Sequence, residues 1–211
     1  MRLIIAIAIL FLVFNSSAQD STAFSRLAIT CKPLGAIDPF LANYTLGLEY
    51  QINKNLLAEI NGGWIKTYLG SSTEHSENIY STGYKVSAEV KYIVVKGLYV
   101  AVQAFYNDYD KTADEYVWRF AQTYQQKFKI HRLTTSIGGH LKAGYILKRP
   151  GKRFFYNFYA GIGVRQKQIK INNLPDDSEL IDNNGNGVIN NFPGNQVFPS
   201  VTLGVTIGFR L

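Results

Sequence analysis

A single cysteine among 211 residues removes two scaffolds at once, since a disulfide needs two thiols and a thiolate metal cage needs several. Charge is scarce as well, with Asp, Glu, Lys and Arg making up 18% of the chain against roughly 25% in soluble domains. Past Ala18 no stretch approaches the 18 or so consecutive apolar residues of a spanning helix, which excludes helical membrane spans. What is present instead is 46% hydrophobic residues, 14% aromatics and 18 glycines. That composition excludes a disordered chain and fits one domain with a large buried or membrane-facing apolar surface.

The N-terminus points to export. Arg2 precedes an apolar run from Leu3 to Phe14, followed by Asn15, Ser16, Ser17 and Ala18. The run is too short to span a bilayer, which takes about 20 residues, and the small residues at Ser16 and Ala18 suit signal peptidase. Residues 1–18 are therefore expected to be a cleaved signal peptide and residues 19–211 the folded domain. The nearest cysteine to the cut is Cys31, too distant for a lipid anchor. Loss of Arg2 leaves 21 basic and 15 acidic residues, so the exported chain stays basic.

Beyond that point the chain alternates. From Tyr80 to Val94 the even positions are almost all apolar or aromatic (Tyr84, Val86, Ala88, Val90, Tyr92), and the odd ones are polar or charged (Lys85, Ser87, Glu89, Lys91). Leu133 to Tyr145 and Val197 to Leu211 repeat the pattern. Period two is the signature of strands with one apolar face. Read throughout, it predicts eight strands, at about 24–33, 42–52, 56–68, 80–95, 98–107, 128–147, 153–167 and 196–211. Their connections alternate in length. Asn53–Asn55, Lys96-Gly97 and Lys148–Lys152 are tight turns, whereas Leu34–Leu41, Leu69–Ile79, Asp108–Lys127 and Gln168–Asn195 are long. An antiparallel up-and-down transmembrane β-barrel of the outer-membrane type alternates in this way, with short turns in the periplasm and long loops outside.

In these features, and in a terminal strand ending Gly208-Phe209-Arg210-Leu211, the chain resembles the small eight-stranded outer-membrane barrels, the OmpA, OmpX and OmpW-like, porin-like group of Gram-negative bacteria. The resemblance covers everything after Ala18. It implies an outer-membrane location, contact with outer-membrane lipid, and insertion by the barrel-assembly machinery, which reads an aromatic near the end of the last strand. Here that aromatic is Phe209 and the last residue is Leu211. A peptidoglycan-binding domain after the barrel segment is not expected. Aromatics fall where interface girdles belong: Tyr44, Trp64, Tyr68, Tyr80, Tyr84 and Tyr106 toward one rim, and Tyr50, Tyr92, Tyr145, Phe154 and Tyr156 toward the other.

The second strand face carries the candidate site. Glu49, Glu59, Lys85, Glu89, Lys91, Arg132, Lys142, Arg165, Lys167 and Arg210 share it, and inside a narrow barrel they would form a charged network plugging the lumen. A narrow anion-selective path lined by the excess bases is the alternative use of the same residues. Periodicity does not say which face is inside, so a secreted or periplasmic lipocalin-like carrier, with its apolar face around a ligand, also remains open.

Enzyme chemistry finds no purchase. His140 and Ser136 lie four positions apart on one strand face, roughly 13 Å, too far for a nucleophile and its base. His75 and His131 have no metal-spaced partner, and no phosphate loop or Gly-x-Ser-x-Gly occurs. No cofactor is expected. Asp182, Asn184 and Asn186 followed by Gly187 match the first half of a calcium loop, but the twelfth position is Pro193 where a bidentate Glu is needed. Asn-Gly runs are also ordinary turn chemistry. The bases are spread through strands, so nucleic acid is not an expected partner. Long loops on a rigid barrel leave adhesion or another surface interaction with an extracellular or envelope protein as the expected role.

Overall fold

The computed structural model describes residues 26–34, 43–69, 79–120, 123–148, 153–173, 178–180 and 193–211. The proposed signal peptide, His75 and the Asp182–Ile189 motif lie outside the described residues. The regular elements are nine strands: β1 (Leu27–Cys31), β2 (Asn43–Gln51), β3 (Leu56–Leu69), β4 (Ile79–Val95), β5 (Leu98–Arg119), β6 (Tyr124–Lys148), β7 (Phe154–Asn172), β8 (Ser178–Leu180) and β9 (Gly194–Arg210). Every pairing is antiparallel. Each of β1 to β6 pairs with the next, β7 pairs with β9, and β9 returns to β1 with Ala28 opposite Arg210 and Cys31 opposite Ile207. The sheet thus closes into a barrel-like ring, to which β8 is attached through β5 alone.

Two expectations need correcting here. Among the described residues there are nine strands, one more than expected, because β8 forms within the segment expected to be a loop from Gln168 to Asn195, outside the ring made by the other eight. The expected long loop from Asp108 to Lys127 is mostly strand: β5 and β6 stay in register from Leu98↔Tyr145 to Arg119↔Tyr124. The physical reason is that hydrophobic alternation marks only strands with one apolar face. Past Asn107 both faces carry charges, as in Asp108, Asp110, Lys111, Asp114 and Glu115. The backbone ladder continues there in a hairpin that still buries Ala113, Val117 and Ile130, but the interspersed charges break the alternation.

The two described short turns are built by local chemistry. Asn53 Oδ1 accepts hydrogen bonds from the backbone N–H groups of Asn55 and Leu56, each at 2.9 Å, which closes the β2–β3 turn. Lys96 and Gly97 both have positive φ, 38° and 95°, the conformation whose twist matches an antiparallel hairpin. At this short-turn end the interior is apolar: Leu57, Tyr99, Ile146 and Phe155 are buried together with Ala28 and Ala101. Tyr99 satisfies its hydroxyl by donating to Asn157 Oδ1 at 2.8 Å.

Above that cluster the interior turns polar and the exterior apolar. Val90, Val102, Leu141, Ile162 and Val201 stand opposite one another in a lateral row across β4, β5, β6, β7 and β9, and all are exposed. Tyr44, Trp64 and Tyr84 form a second exposed row nearer the long-loop end, and Phe154 meets Phe209 edge-on at 4.9 Å near the other. The wall is thin where glycines face inward. A Cβ on Gly163 would collide with the Gly139 carbonyl of β6, a backbone atom that cannot turn aside. Gly163→Val is therefore expected to force the strands apart and cost about 1–3 kcal/mol, read as a lower urea midpoint for unfolding of the refolded protein.

Candidate functional site

Strand register explains the chemistry of the interior. Glu49, Glu59, Glu89, Gln103, His140, Gly163 and Ser200 occupy one lateral row on β2, β3, β4, β5, β6, β7 and β9. The row places three buried carboxylates side by side. Like charges directly opposite destabilise a sheet, so cations have to reach them. Lys91, fully buried, lies 2.7 Å from Glu49 Oε2 and also donates to Glu59 Oε2. Glu59 further accepts from Thr30 Oγ1 at 3.2 Å and pairs with Lys32 at 3.3 Å. Glu89 pairs with Lys142 at 2.8 Å, and Lys142 Nζ sits 4.4 Å from the centre of the Tyr159 ring. Three acids and three lysines thus meet in a compact layer directly above the apolar cluster.

The row continues as a neutral chain. His140 Nδ1 lies 3.2 Å from Gln103 Oε1, and its Nε2 lies 2.9 Å from Ser200 Oγ. Since Gln103 Oε1 can only accept, Nδ1 carries the proton and Ser200 donates to Nε2. The Gln103 amide passes the chain on by donating to Ser87 Oγ at 3.3 Å, and the imidazole stacks on Phe105 at 4.8 Å. Ser200 and His140 are at nucleophile–base distance, but the third member is a carboxamide. A carboxamide carries no charge to balance the imidazolium that forms when a histidine takes a serine proton, which is the carboxylate's part in a Ser-His-Asp triad. The chain reads as a satisfied polar network.

Of the predicted site residues, Glu49, Glu59 and Lys91 come together in one group and Glu89 with Lys142 in another. Lys85, Arg132, Arg165 and Lys167 face the same interior but lie nearer the long-loop end, away from the carboxylates. Arg210 is at the opposite end, about one turn-side layer below, with its guanidinium 6.0 Å from the Phe155 ring. Ser136 makes no contact with His140; Ser200, sixty residues along the chain, takes that place. His131 Nδ1 is 3.0 Å from Thr112 Oγ1 and 3.6 Å from Asp110, outside the network. Among the described residues no cluster of His, Cys, Asp and Glu could hold a metal ion. Sequence reading missed Lys32, Thr30, Gln103 and Ser200. Lys32 shares inward parity with Ala28 and Thr30 and was findable; Ser200 joins His140 only through register across β7, which no local pattern reveals.

Over the Lys142–Tyr159 level lies a cavity of about 370 Å³, bordered by Lys85, Gln103, Asn107, His140 and Arg165. At roughly 30 Å³ per water it holds about a dozen waters.

No family model and no curated protein sequence matches the chain. Among solved structures it is similar to the crystal structure of Acinetobacter baumannii CarO, with a TM-score of 0.40 and 14% identity over 92% of this chain and 100% of that one. At that level of superposition the function has to be read from this chain's own geometry.

Proposed function

We propose that this chain is an integral outer-membrane protein, an eight-stranded up-and-down barrel whose lumen is closed by the acid–lysine layer and the apolar cluster beneath it. Its role is structural, adhesive or otherwise one of surface interaction, and no catalytic step or cofactor belongs to this reading. The observation that carries it is the polarity of the sheet. Val201 and Leu203 are 80% and 79% exposed while Lys91 is 0% exposed. In water that arrangement would leave an apolar belt uncovered and bury ions; in lipid the same belt is solvated and the ions find partners inside. A lipocalin-like carrier needs the reverse, with apolar side chains around the ligand.

The interaction surface we assign is the tip of the β5–β6 hairpin. β4 ends opposite Ala113, and the hairpin runs on from Asp114 to Arg119, roughly 20 Å at 3.3 Å per residue. Its end exposes Phe120 and Tyr124, with the Arg119 guanidinium 5.4 Å from the Phe120 ring. Exposed aromatics beside an arginine are the residue types that anchor protein partners. Outer-membrane lipid and the barrel-assembly machinery are the other partners of this reading.

Fractionation tests the location, and a cysteine pair tests the orientation. Folded protein is expected in the outer-membrane pellet with different electrophoretic mobility before and after boiling. In a Cys31→Ser background, Gln125→Cys on the hairpin should react with an impermeant maleimide on intact cells, and Lys54→Cys in the β2–β3 turn should not. Recovery in the soluble periplasm without a mobility shift would overturn the membrane reading; labelling at position 54 alone would invert the barrel.

A further inference from the structure

The outer part of the β5–β6 hairpin has one edge filled and one edge open. β8 adds to β5 at Val117, Trp118 and Arg119, so on that side the hairpin already accepts a short antiparallel strand. On the other side β7 pairs with β6 as far as His131↔Asn172 and then turns away at Asn173, whose φ is 60°. From Tyr124 to Ile130, β6 is paired, among the described residues, with β5 alone. The Asn173 side chain shows what this edge accepts. Its amide donates to the Lys129 carbonyl at 2.8 Å and its Oδ1 accepts from the His131 N–H at 3.2 Å, which are the two bonds that a neighbouring strand would supply. Successive residues of a strand turn their N–H and C=O to opposite sides, so Gln125, Lys127 and Lys129 present theirs on the side of His131. With the Lys129 carbonyl taken, the N–H groups of all three residues and the carbonyls of Gln125 and Lys127 remain for a partner.

Side chains choose that partner. Gln125, Lys127 and Lys129 are exposed on one face of the edge, and Tyr124, Gln126 and Phe128 belong to the other. Neither lysine has an ion-pair partner among the described residues, although Asp114 stands opposite Lys129 on β5. On the second face the Arg119 guanidinium lies 5.5 Å from the Phe128 ring. We propose that the Gln125–Lys129 edge of β6 binds an extended acidic segment of a partner protein by antiparallel strand addition, a reading that rests on the hairpin tip being the interaction surface. Carboxylates at alternate positions lie beside Lys127 and Lys129, and the apolar residue between them lies on the Phe128 face. Backbone bonds supply the attachment and alternate side chains supply the choice. Lysines on a bare edge also keep other strands from pairing there, so the charges that prevent indiscriminate pairing are the ones that select an acidic partner.

The test uses the full mature protein folded in a neutral detergent and a short fluorescent peptide alternating glutamate and valine. Two control peptides separate the parts of the contact: one has lysine for each glutamate, and the other carries a methyl group on each glutamate amide nitrogen, which removes the donors that face the edge. Fluorescence anisotropy should show saturable binding of the glutamate peptide, with each control about tenfold weaker. Lys127→Pro removes an N–H that faces the open edge and none that bonds to β5, so the variant should keep the heat-dependent mobility shift and bind about tenfold less. Lys127→Glu combined with Lys129→Glu should reverse the preference toward the lysine peptide, a gain that misfolding cannot produce. Equal binding of the glutamate and lysine peptides, undiminished binding of the methylated one, or no saturable binding to the unsubstituted protein overturns the proposal. Labelling of Gln125→Cys on intact cells reports on the surface reading separately. A protein labelled there that ignores the glutamate peptide loses this edge and keeps its surface assignment; one that binds the peptide in detergent but labels only at position 54 keeps the edge and inverts the barrel.

Discussion

Replacing Lys91 by methionine should be among the most damaging single changes in the protein, costing about 3–5 kcal/mol. Methionine keeps the length of the side chain and loses its charge. Lys91 is fully buried and is the cation shared by Glu49 and Glu59, whose strands stand them directly opposite each other. Without it, one carboxylate would keep Lys32 and the other would face a like charge in a space from which water is largely excluded. The penalty comes from the stranded charges and not from the lost contact, and that distinction can be measured. Glu49→Gln combined with Lys91→Met removes a stranded acid, so it should recover much of the stability lost in Lys91→Met alone, a coupling between contacting residues that would vanish if the lysine acted by packing. Urea unfolding of the refolded protein in detergent gives each corner of the cycle. An unfolding midpoint for Lys91→Met equal to that of the parent would mean that water screens the layer, and the closed lumen would have to be abandoned.

The parts of this architecture legible in the sequence are those where an exposed apolar face and a buried polar interior impose opposite demands on adjacent residues. From Val86 to Tyr92 the chain alternates without a break, and the structure sends Val86, Val90 and Tyr92 outward while burying Ser87, Glu89 and Lys91. Where those demands stop, so did legibility. The stretch from Asp108 to Arg119 intersperses charges with its buried Ala113 and Val117, so alternation carries no strand signal there although the backbone pairs at every position. The site divided in the same way. Parity alone placed Glu49, Glu59, Glu89 and Lys91 on one face, but which lysine reaches which glutamate depends on register between strands as distant as β3 and β4, or β4 and β6. The short β1 shows a further gap between pattern and pairing: its five residues leave β9 from Gly194 to Thr206 paired, among the described residues, with β7 alone. Pro199 lies in that portion, where a strand can lack an N–H without breaking a second ladder.

On the outer face the expected effect is in assembly. Leu203→Arg should leave little of the protein in folded, heat-modifiable form, because an arginine near the bilayer midplane costs roughly 2–4 kcal/mol in such barrels and that cost arises on insertion. Leu203 is 79% exposed on β9 and stands opposite Ala160, one pair of positions from the Val201–Ile162 step of the apolar row. A guanidinium there can neither snorkel quickly to an interface nor turn inward, since the inward neighbours Thr202 and Gly204 occupy the opposite parity of the strand. The control is Gln125→Arg, the same new side chain on the exposed β6 end of the hairpin, beyond the apolar belt; it should fold as the parent does. Val90→Arg, in the lateral row across β4, should behave like Leu203→Arg if the belt is continuous around the ring. Refolding into preformed lipid vesicles, scored by the unboiled fraction of folded protein against urea, separates the three. Equal yields for Leu203→Arg and Gln125→Arg would mean that the exposed apolar row does not face hydrocarbon, and the membrane reading would fall with it.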